Sequence, residues 1–242
     1  MSEFLWVVLP YLTLTLFALG SLARYAYRPM AWGSRSSEIL EKRWLHWGSL
    51  LFHWGILFVF FGHVFGLLVP IEVYQALGVS SQMYHLGADT MGGLAGLATW
   101  VGLDILILRR LVHLRVRLNT SLGDWVSLGL LWIVVTLGDA ETIVRNNLVG
   151  PYEYRLTVGP WVRELFTLHP NAALMTHVPL LLQMHIVAAF VLFAVWPFTR
   201  LVHVFSLPLA YLRRAPIQYR SRSHPGTKDA RAWVAPYGQE GR

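Results

Sequence analysis

The chain has 242 residues, of which 55% are hydrophobic and 14% are charged, and it carries a formal net charge of +7 and no cysteine. This composition is typical of a membrane protein. The lack of cysteine excludes disulfides, thiolate iron-sulfur clusters and covalent haem attachment through Cys-x-x-Cys-His. The basic residues lie between apolar stretches rather than on one soluble face, so the charge does not indicate a nucleic-acid partner.

Five stretches are apolar enough to cross a hydrocarbon layer, which requires roughly 20 helical residues. They cover about residues 4–23, 45–69, 87–108, 124–143 and 174–199. The fourth has only 14 residues without formal charge between Asp124 and Asp139, but Ser121 and Asp124 provide an N-terminal helix cap for it. The sequence therefore predicts an all-α integral membrane bundle of five transmembrane helices.

The distribution of Lys and Arg orients this bundle. Seventeen of the 20 basic residues fall in three segments on one side, namely 23–44, 109–123 and 200–242. That side is predicted to be cytoplasmic, so the N-terminus lies outside and the C-terminus inside the cytoplasmic (inner) membrane. The first residues, MSEF, include Glu3 and no Lys or Arg, so the first helix is predicted to be an uncleaved span rather than a signal peptide.

Two segments outside the helices have recognisable character. The outer loop 144–173 contains WVRELF, which is predicted to lie as a short interfacial helix with Trp161 at headgroup depth. Residues 1–205 form the predicted transmembrane domain, and residues 206–242 form a basic cytoplasmic tail. The tail is either disordered and attracted to anionic lipid or ordered against a cytoplasmic partner.

Four of the ten histidines lie in strongly apolar surroundings, two of them in the second stretch and two at the fifth: His53, His63, His185 and His203. A single intramembrane histidine commonly hydrogen-bonds a neighbouring helix, but two on each of two helices favour a ligand set. Helix direction places His63 and His185 in the outer half, and His53 and His203 in the inner half. Two imidazoles facing each other at one depth are the axial ligands of a b-type haem, so the sequence predicts two haem b groups.

Three points remain open at this stage. His46 lies seven residues before His53 and His177 lies eight residues before His185, about two helical turns in each case, and spacing alone does not exclude them. The glycines that recur every seven residues on the second helix leave one helix face nearly without side chains. This face allows either close packing of a neighbouring helix or contact with a flat porphyrin. On a straight helix His185 and His203 would lie roughly 27 Å apart, against about 15 Å for His53 and His63, which requires tilt or a helix that extends past the inner edge.

The cations available for haem propionates at the inner level are Arg110, Arg115, Arg117 and Arg200.

Several runs carry a resemblance to a known family. They are SLARYAYRPMAW, SSEILEKR, LFHWGILFVFFGHVFGLLVP, RVRLNTSLGDW and PFTRLVHVFSLP. Over residues of about 20 to 215 the chain resembles the gamma subunit of bacterial membrane-bound respiratory nitrate reductase, a dihaem cytochrome b that oxidises quinol. The resemblance implies the same two haem pairs, together with docking on a cytoplasmic iron-sulfur beta subunit and a molybdenum catalytic alpha subunit.

The resemblance also implies a quinol site beside the outer haem. Family members use a lysine in the outer loop before the third helix, where this chain reads QMYHLGADTMGG. The aligned residues are Tyr84 and His85, so the predicted site for menaquinol or ubiquinol comprises Gly62, His63, Tyr84 and His85. His85 either exchanges a hydrogen bond or proton with quinol or is an ordinary solvated loop histidine.

The predicted function is that of an enzyme subunit in a quinol:nitrate oxidoreductase. Electrons pass from membrane quinol through the outer and then the inner haem to the iron-sulfur subunit, while nitrate is reduced in a partner subunit. One alternative is a cytochrome b subunit of a sulfur-metabolism or heterodisulfide-reductase-like complex. A second is a transporter that uses histidine relay groups, for which Asp104 and Asp139 are the available acidic partners. A cofactor-free membrane anchor would leave the four histidines unexplained.

Overall fold

The computed structural model describes residues 2–28 and 37–206. Within these ranges five helices are long and apolar enough to cross a membrane, which confirms the predicted fold class. They are α1 (Phe4–Tyr27), α2 (Arg43–Leu68), α4 (Ser81–Val112), α6 (Leu122–Val149) and α8 (Leu180–Phe198). Three shorter helices connect them: α3 (Ile71–Ala76), α5 (Leu114–Leu118) and α7 (Val158–Phe166). The predicted basic tail, apart from Ser206, lies outside the described residues.

The helix starts follow local capping chemistry. At α6 the Ser121 hydroxyl accepts from the backbone N–H of Asp124, and the Asp124 carboxylate accepts from the backbone N–H of Ser121, which confirms the predicted cap. Helix α4 begins after Ser80, whose hydroxyl accepts from the N–H of Met83, six residues earlier than the apolar stretch alone predicted. Polar capping residues therefore extend the helices beyond the hydrophobic windows.

The fourth and fifth spans differ from the sequence prediction. Helix α6 continues to Val149, past Asp139, through a π-helical segment at Ala140–Arg145. The regular α-helical part of α8 ends at Val195, because Pro197 has no N–H and its ring disrupts the helical path. His203 lies in a separate 3-10 segment, Arg200–Phe205.

A straight fifth helix carrying both histidines is therefore wrong. Thr199 adopts an extended conformation (φ −116°, ψ 177°) between the two 3-10 turns. Its hydroxyl donates to the carbonyl of Trp196 and accepts from the N–H of Leu201. This break redirects the chain, so neither strong tilt nor an overlong helix is needed to position His203.

The spans pack in the order α2, α4, α6, α8 and α1. A Cβ added to Gly55 of α2 would lie 2.6 Å from the backbone N of Thr99 in α4, so these two backbones are in close contact. Helices α2 and α8 make little direct contact within the described residues, and histidine side chains reach across the space between them.

Helix α7 packs against α1 and α8 at one end of the bundle. Trp161 is fully buried, donates its indole N–H to the Trp6 carbonyl at 2.9 Å, and packs edge-on against Trp6 and Phe190. Trp161 therefore lies inside the protein rather than on its surface, and its place at lipid headgroup depth stays a prediction. The ring is more fully desolvated between α1 and α8 than it would be at an interface, and its one polar group finds a partner there.

Candidate functional site

One histidine pair joins the N-terminal third of α8 to α2. The ring centres of His63 and His185 are 6.1 Å apart, and their planes meet at 29°. Gly138 of α6 lines the pair, because a Cβ there would lie 3.0 Å from Cε1 of His185. Two π-helical segments adjoin this level, one beginning at Val64 immediately after His63 and the other at Ala140. Such segments are common at functional sites.

A second pair joins α2 to the 3-10 segment after α8. The ring centres of His53 and His203 are 6.3 Å apart, with an angle of 67° between the planes. His53 precedes His63 by ten residues, so the two pairs differ in depth by about 15 Å along the helix. The structure thus brings together the same two pairs that helix direction predicted.

All four rings are held by the same kind of hydrogen bond. Each Nδ1 faces a backbone carbonyl, with N···O distances of 2.7, 2.8, 3.0 and 2.6 Å from His53, His63, His185 and His203 to the carbonyls of Ser49, Val59, Val134 and Arg200, respectively. Because a carbonyl only accepts, Nδ1 carries the proton and Nε2 carries the lone pair. This is the arrangement by which proteins orient a histidine that binds metal through Nε2.

The ring separations fit one metal between each pair. Two imidazoles bonded on opposite sides of a metal through bonds of about 2 Å place their ring centres roughly 6 Å apart. Residues 2–28 and 37–206 contain no group of three or more His, Cys, Asp or Glu side chains arranged to hold a metal ion. The donor sets are pairs, which suits a haem iron whose other four ligands belong to the porphyrin.

The glycines of α2 have different roles. A Cβ on Gly48 would meet Leu106 at 3.0 Å and one on Gly55 would meet Thr99 at 2.5 Å, so both serve close packing against α4. The porphyrin role considered for this glycine series is therefore wrong at these two positions. A Cβ added to Gly62 would meet open space, whereas one added to Gly66 would lie 2.6 Å from the hydroxyl of Tyr154.

The other histidines and acids considered from the sequence lie apart from the two pairs. His46 is exposed and packs edge-on against Trp47, and His177 is exposed. Asp104 accepts a hydrogen bond from the indole of Trp132 at 3.0 Å, and Asp139 packs against Gly96 of α4. The acidic side chains proposed for a relay thus have other neighbours.

The predicted propionate cations separate into three environments. Arg200 forms a two-point ion pair with Asp124, with both N···O distances 2.5 Å. Arg110 is buried and donates Nη1 to the carbonyl of Leu106 at 3.0 Å. Arg115 and Arg117 are exposed on α5. Of the four, Arg110 combines burial with guanidinium N–H groups beyond the one used at Leu106.

A polar group that sequence reasoning missed surrounds Tyr84 and His85. We call it the rim cluster, and it comprises Tyr84, His85, Glu153, Tyr154 and Arg155. The Tyr84 and Tyr154 hydroxyls are 2.7 Å apart, and Nε2 of His85 is 3.1 Å from a Glu153 oxygen. Its last three members are consecutive in the loop after α6. The local signal was an arginine two residues after a glutamate in the otherwise uncharged run PYEYRL.

The electrostatics of the rim cluster favour an ionised Glu153. Partial burial raises the pKa of this carboxyl group, but the hydrogen bonds from Arg155 and His85 outweigh it and hold the pKa below its usual range. The guanidinium of Arg155 also lies over the Tyr84 ring, 3.7 Å from its centre. Glu153 is therefore a carboxylate at neutral pH.

The fold and the site define a class of protein: a bundle of five membrane-length helices with two histidine pairs, one between α2 and α8 and the other between α2 and the 3-10 segment after α8. Residues 2–222 match the model of the nitrate reductase gamma subunit family. The chain belongs to this family, which confirms the resemblance seen in its sequence.

Individual relatives agree over most of the chain. It is 48% identical over 222 residues to the nitrate reductase gamma chain of Bacillus subtilis, covering 92% of this chain and 99% of the relative. It is 35% identical to the respiratory nitrate reductase 2 gamma chain of Escherichia coli, covering 92% and 98% respectively. It is also 43% identical to the nitrate reductase-like protein NarX of Mycobacterium tuberculosis, covering 92% of this chain but 34% of that protein.

Proposed function

We propose that this chain is the quinol-oxidising dihaem cytochrome b subunit of a respiratory nitrate reductase. The observation that carries the proposal is the pair of facing imidazole sets, His63 with His185 and His53 with His203, each with ring centres about 6 Å apart. Family membership and five membrane-length helices support it further.

The helix directions assign a side to each pair. With the Lys- and Arg-rich segments in the cytoplasm, His63 and His185 hold the outer haem, and His53 and His203 hold the inner one. When bound, haem b supplies reversible one-electron chemistry, which carries electrons from the outer to the inner site and on to a cytoplasmic iron-sulfur subunit. The protein residues hold and orient the iron ligands through the four Nδ1 hydrogen bonds.

The propionates of the inner haem are assigned to the inner basic residues. Arg110 is the leading residue, because its guanidinium is buried and donates Nη1 to the backbone carbonyl of Leu106, which leaves its other N–H groups for a propionate. Arg200 contributes through the guanidinium N–H groups that do not bind Asp124. The exposed Arg115 and Arg117 act at longer range.

Quinol, either menaquinol or ubiquinol, is proposed to bind beside the outer pair. Gly62 leaves open space next to His63, and Tyr84 and His85 stand at the same end of the bundle. Its two electrons move inward while its protons are released outside, so charge is separated across the membrane without a proton channel. The partners are the beta subunit and a molybdenum-containing alpha subunit, in a complex in the cytoplasmic (inner) membrane.

Haem content of histidine variants tests the ligand assignment. The native chain, purified with its partner subunits, should contain two b haems per chain in a pyridine haemochrome assay. His185→Ala should remove the outer haem and abolish haem reduction by quinol, whereas His203→Ala should remove the inner haem and retain the outer one. His177→Ala and His46→Ala are matched controls, because both side chains are exposed, and both variants should retain two haems.

Two results would contradict the assignment. A native chain without haem would refute the cytochrome function. Retention of both haems in His185→Ala, together with loss of one in His177→Ala, would refute the proposed outer pair.

A further inference from the structure

The rim cluster is organised around a buried arginine. Arg155 is 1% exposed and binds both oxygens of Glu153, Nε to Oε1 and Nη2 to Oε2, each at 2.6 Å. Nη2 also donates to the Ser81 hydroxyl at 3.3 Å at the start of α4. The planar guanidinium is held between the carboxylate and the Tyr84 ring, so it fixes the direction in which the carboxylate points.

The fixed carboxylate reaches His85. Oε2 of Glu153 lies 3.1 Å from Nε2 of His85, across 68 positions of sequence. Because an ionised carboxylate only accepts, Nε2 of the neutral ring carries its proton and Nδ1 carries the lone pair. The His85 side chain is 13% exposed and that of Glu153 is 26% exposed, so the imidazole is the more enclosed group and the carboxylate contacts water.

The same cluster touches the segment that follows His63. A Cβ added to Gly66 would lie 2.6 Å from the Tyr154 hydroxyl and 2.9 Å from the Tyr84 hydroxyl. Gly66 is three residues beyond His63, in the π-helical segment. The rim cluster therefore adjoins the segment that directly follows His63, and within the cluster Glu153 is more exposed than His85.

We propose that Glu153, positioned by Arg155, takes the proton that His85 receives from quinol and passes it to water outside. This inference rests on the proposed function. In the step, a quinol O–H bond breaks and its proton goes to Nδ1 of His85, while the proton on Nε2 moves to Glu153 and then to water. Proton exchange with water returns the His85 proton from Nδ1 to Nε2, after which the second quinol proton leaves by the same route. The two electrons would go one at a time to the haem that His63 and His185 would hold, so quinol becomes quinone.

Other charged and titratable groups face this route. Arg155 contacts Glu153 directly, and Tyr74, Tyr84 and Tyr154 surround the guanidinium and the imidazole. Asp89 lies one helical turn after His85 and accepts a hydrogen bond from Asn146 at 2.8 Å. In this set Glu153 is the acid that directly bonds His85, and it is ionised at neutral pH, so its oxygen has a lone pair for the proton. Because its pKa is lowered, the carboxyl group then releases that proton readily to water.

The test compares glutamate variants in the complete complex in membranes. Glu153→Gln keeps the shape of the side chain but cannot accept a proton. It should retain two haems that dithionite reduces, while the maximal rate of haem reduction by a soluble quinol falls by about tenfold or more with little change in KM. Added imidazole buffer at constant pH should restore part of that rate, because a small base replaces the lost acceptor. Glu153→Asp should recover part of the rate without buffer, and the control Glu72→Gln, an exposed acid in α3, should behave as native.

Three outcomes would overturn the inference. In the first, the maximal rate of Glu153→Gln lies within twofold of the native rate. In the second, Glu153→Gln is slow, added imidazole buffer does not change its rate, and Glu153→Asp is equally slow. The third is a raised KM with an unchanged maximal rate, which would make Glu153 a purely structural or binding residue. Failure of the proposed function is distinguishable, because quinol would then not reduce the haems of the native protein.

Discussion

At the scale of single residues, backbone carbonyls set the direction of the site histidines. The two on α2 use carbonyls four residues earlier on their own helix, whereas His185 uses Val134 on α6. The first kind of bond is local and follows from helix geometry. The second depends on packing between α6 and α8, so the position of His185 depends on two helices. The hydrogen bond that orients His185 would therefore be lost if α6 moved away from α8.

A second set of single-residue contacts is the buried ion pair between Arg109 and Glu41. Arg109 is fully buried, and its donors bind the carboxylate and carbonyl of Glu41 and the hydroxyl and carbonyl of Ser37. Burial raises the pKa of Glu41, but the N–H groups of Trp44 and Leu45 and the Arg109 guanidinium outweigh it and lower the pKa overall. A carboxyl group with a lowered pKa stabilises the fold at neutral pH, and this stabilisation is lost as pH falls through the lowered value.

Substitution of Glu41 tests that linkage. Glu41→Gln leaves the buried Arg109 charge without its counter-ion, so we expect the free energy of unfolding at pH 7 to fall by about 3 kcal/mol. The difference from native should shrink on acidification through the lowered pKa of Glu41, because Glu41 then becomes protonated in the native protein too. Thermal unfolding of the detergent-solubilised protein measures it. Glu38→Gln is the control, because its pair with Lys42 is solvent-exposed and contributes less than about 1 kcal/mol. A pH-independent difference would contradict the linkage.

At the scale of elements, the contact between α2 and α4 holds the ligand-bearing helix in place. The glycines of both helices allow the backbones to approach, with Gly55 against Thr99 and Gly102 against Phe52. Thr99 is fully buried, and its hydroxyl donates to the carbonyl of Ala95 at 2.7 Å. Because His53 and His63 lie on the same helix, this contact sets the position of one member of each pair.

A pair of alanine substitutions on α2 separates packing from cofactor contact. The methyl group in Gly55→Ala would meet the backbone of α4, so α2 must shift, and we expect a loss of about 1 to 3 kcal/mol in stability and reduced occupancy of both haems. Gly62→Ala meets open space in the protein and should unfold at the native temperature. Unfolding midpoints and haem-to-protein ratios provide the measurement. Equal destabilisation by the two changes would show that α2 does not pack on α4 through Gly55.

At the scale of the whole molecule, the arrangement places two histidine pairs across one membrane-sized bundle. Helices α2 and α8 are each supported from behind, α2 by α4 and α8 by α6 and α1. The space between them remains bridged by imidazoles rather than filled by backbone contact. This division leaves room for flat cofactors at two depths, while the outer faces of the helices present large apolar side chains to lipid.

Cysteine labelling tests the orientation, because the native chain has no cysteine that would react. Leu77 and Leu118 are 74% and 76% exposed and lie in opposite connections, after α3 and in α5. We expect Leu77→Cys in intact cells to react with a membrane-impermeant maleimide. Leu118→Cys should react only after the membrane is made permeable. The reverse pattern would invert the assignment of outer and inner haems.

The sequence by itself determined the five helices, the level of each histidine and the two pairs. Apolar length and charge distribution are local properties, and a residue's depth follows from counting along a helix that must cross the membrane. Tertiary structure decided what the sequence left open: the break at Thr199 that positions His203, the packing role of Gly48 and Gly55, and the pairing of Arg200 with Asp124. It also brought Glu153 to His85 from a distant loop. A buried polar group must form a hydrogen bond with whatever group the fold places beside it. Its partner therefore depends on three-dimensional packing and cannot be read from the local spacing of residues.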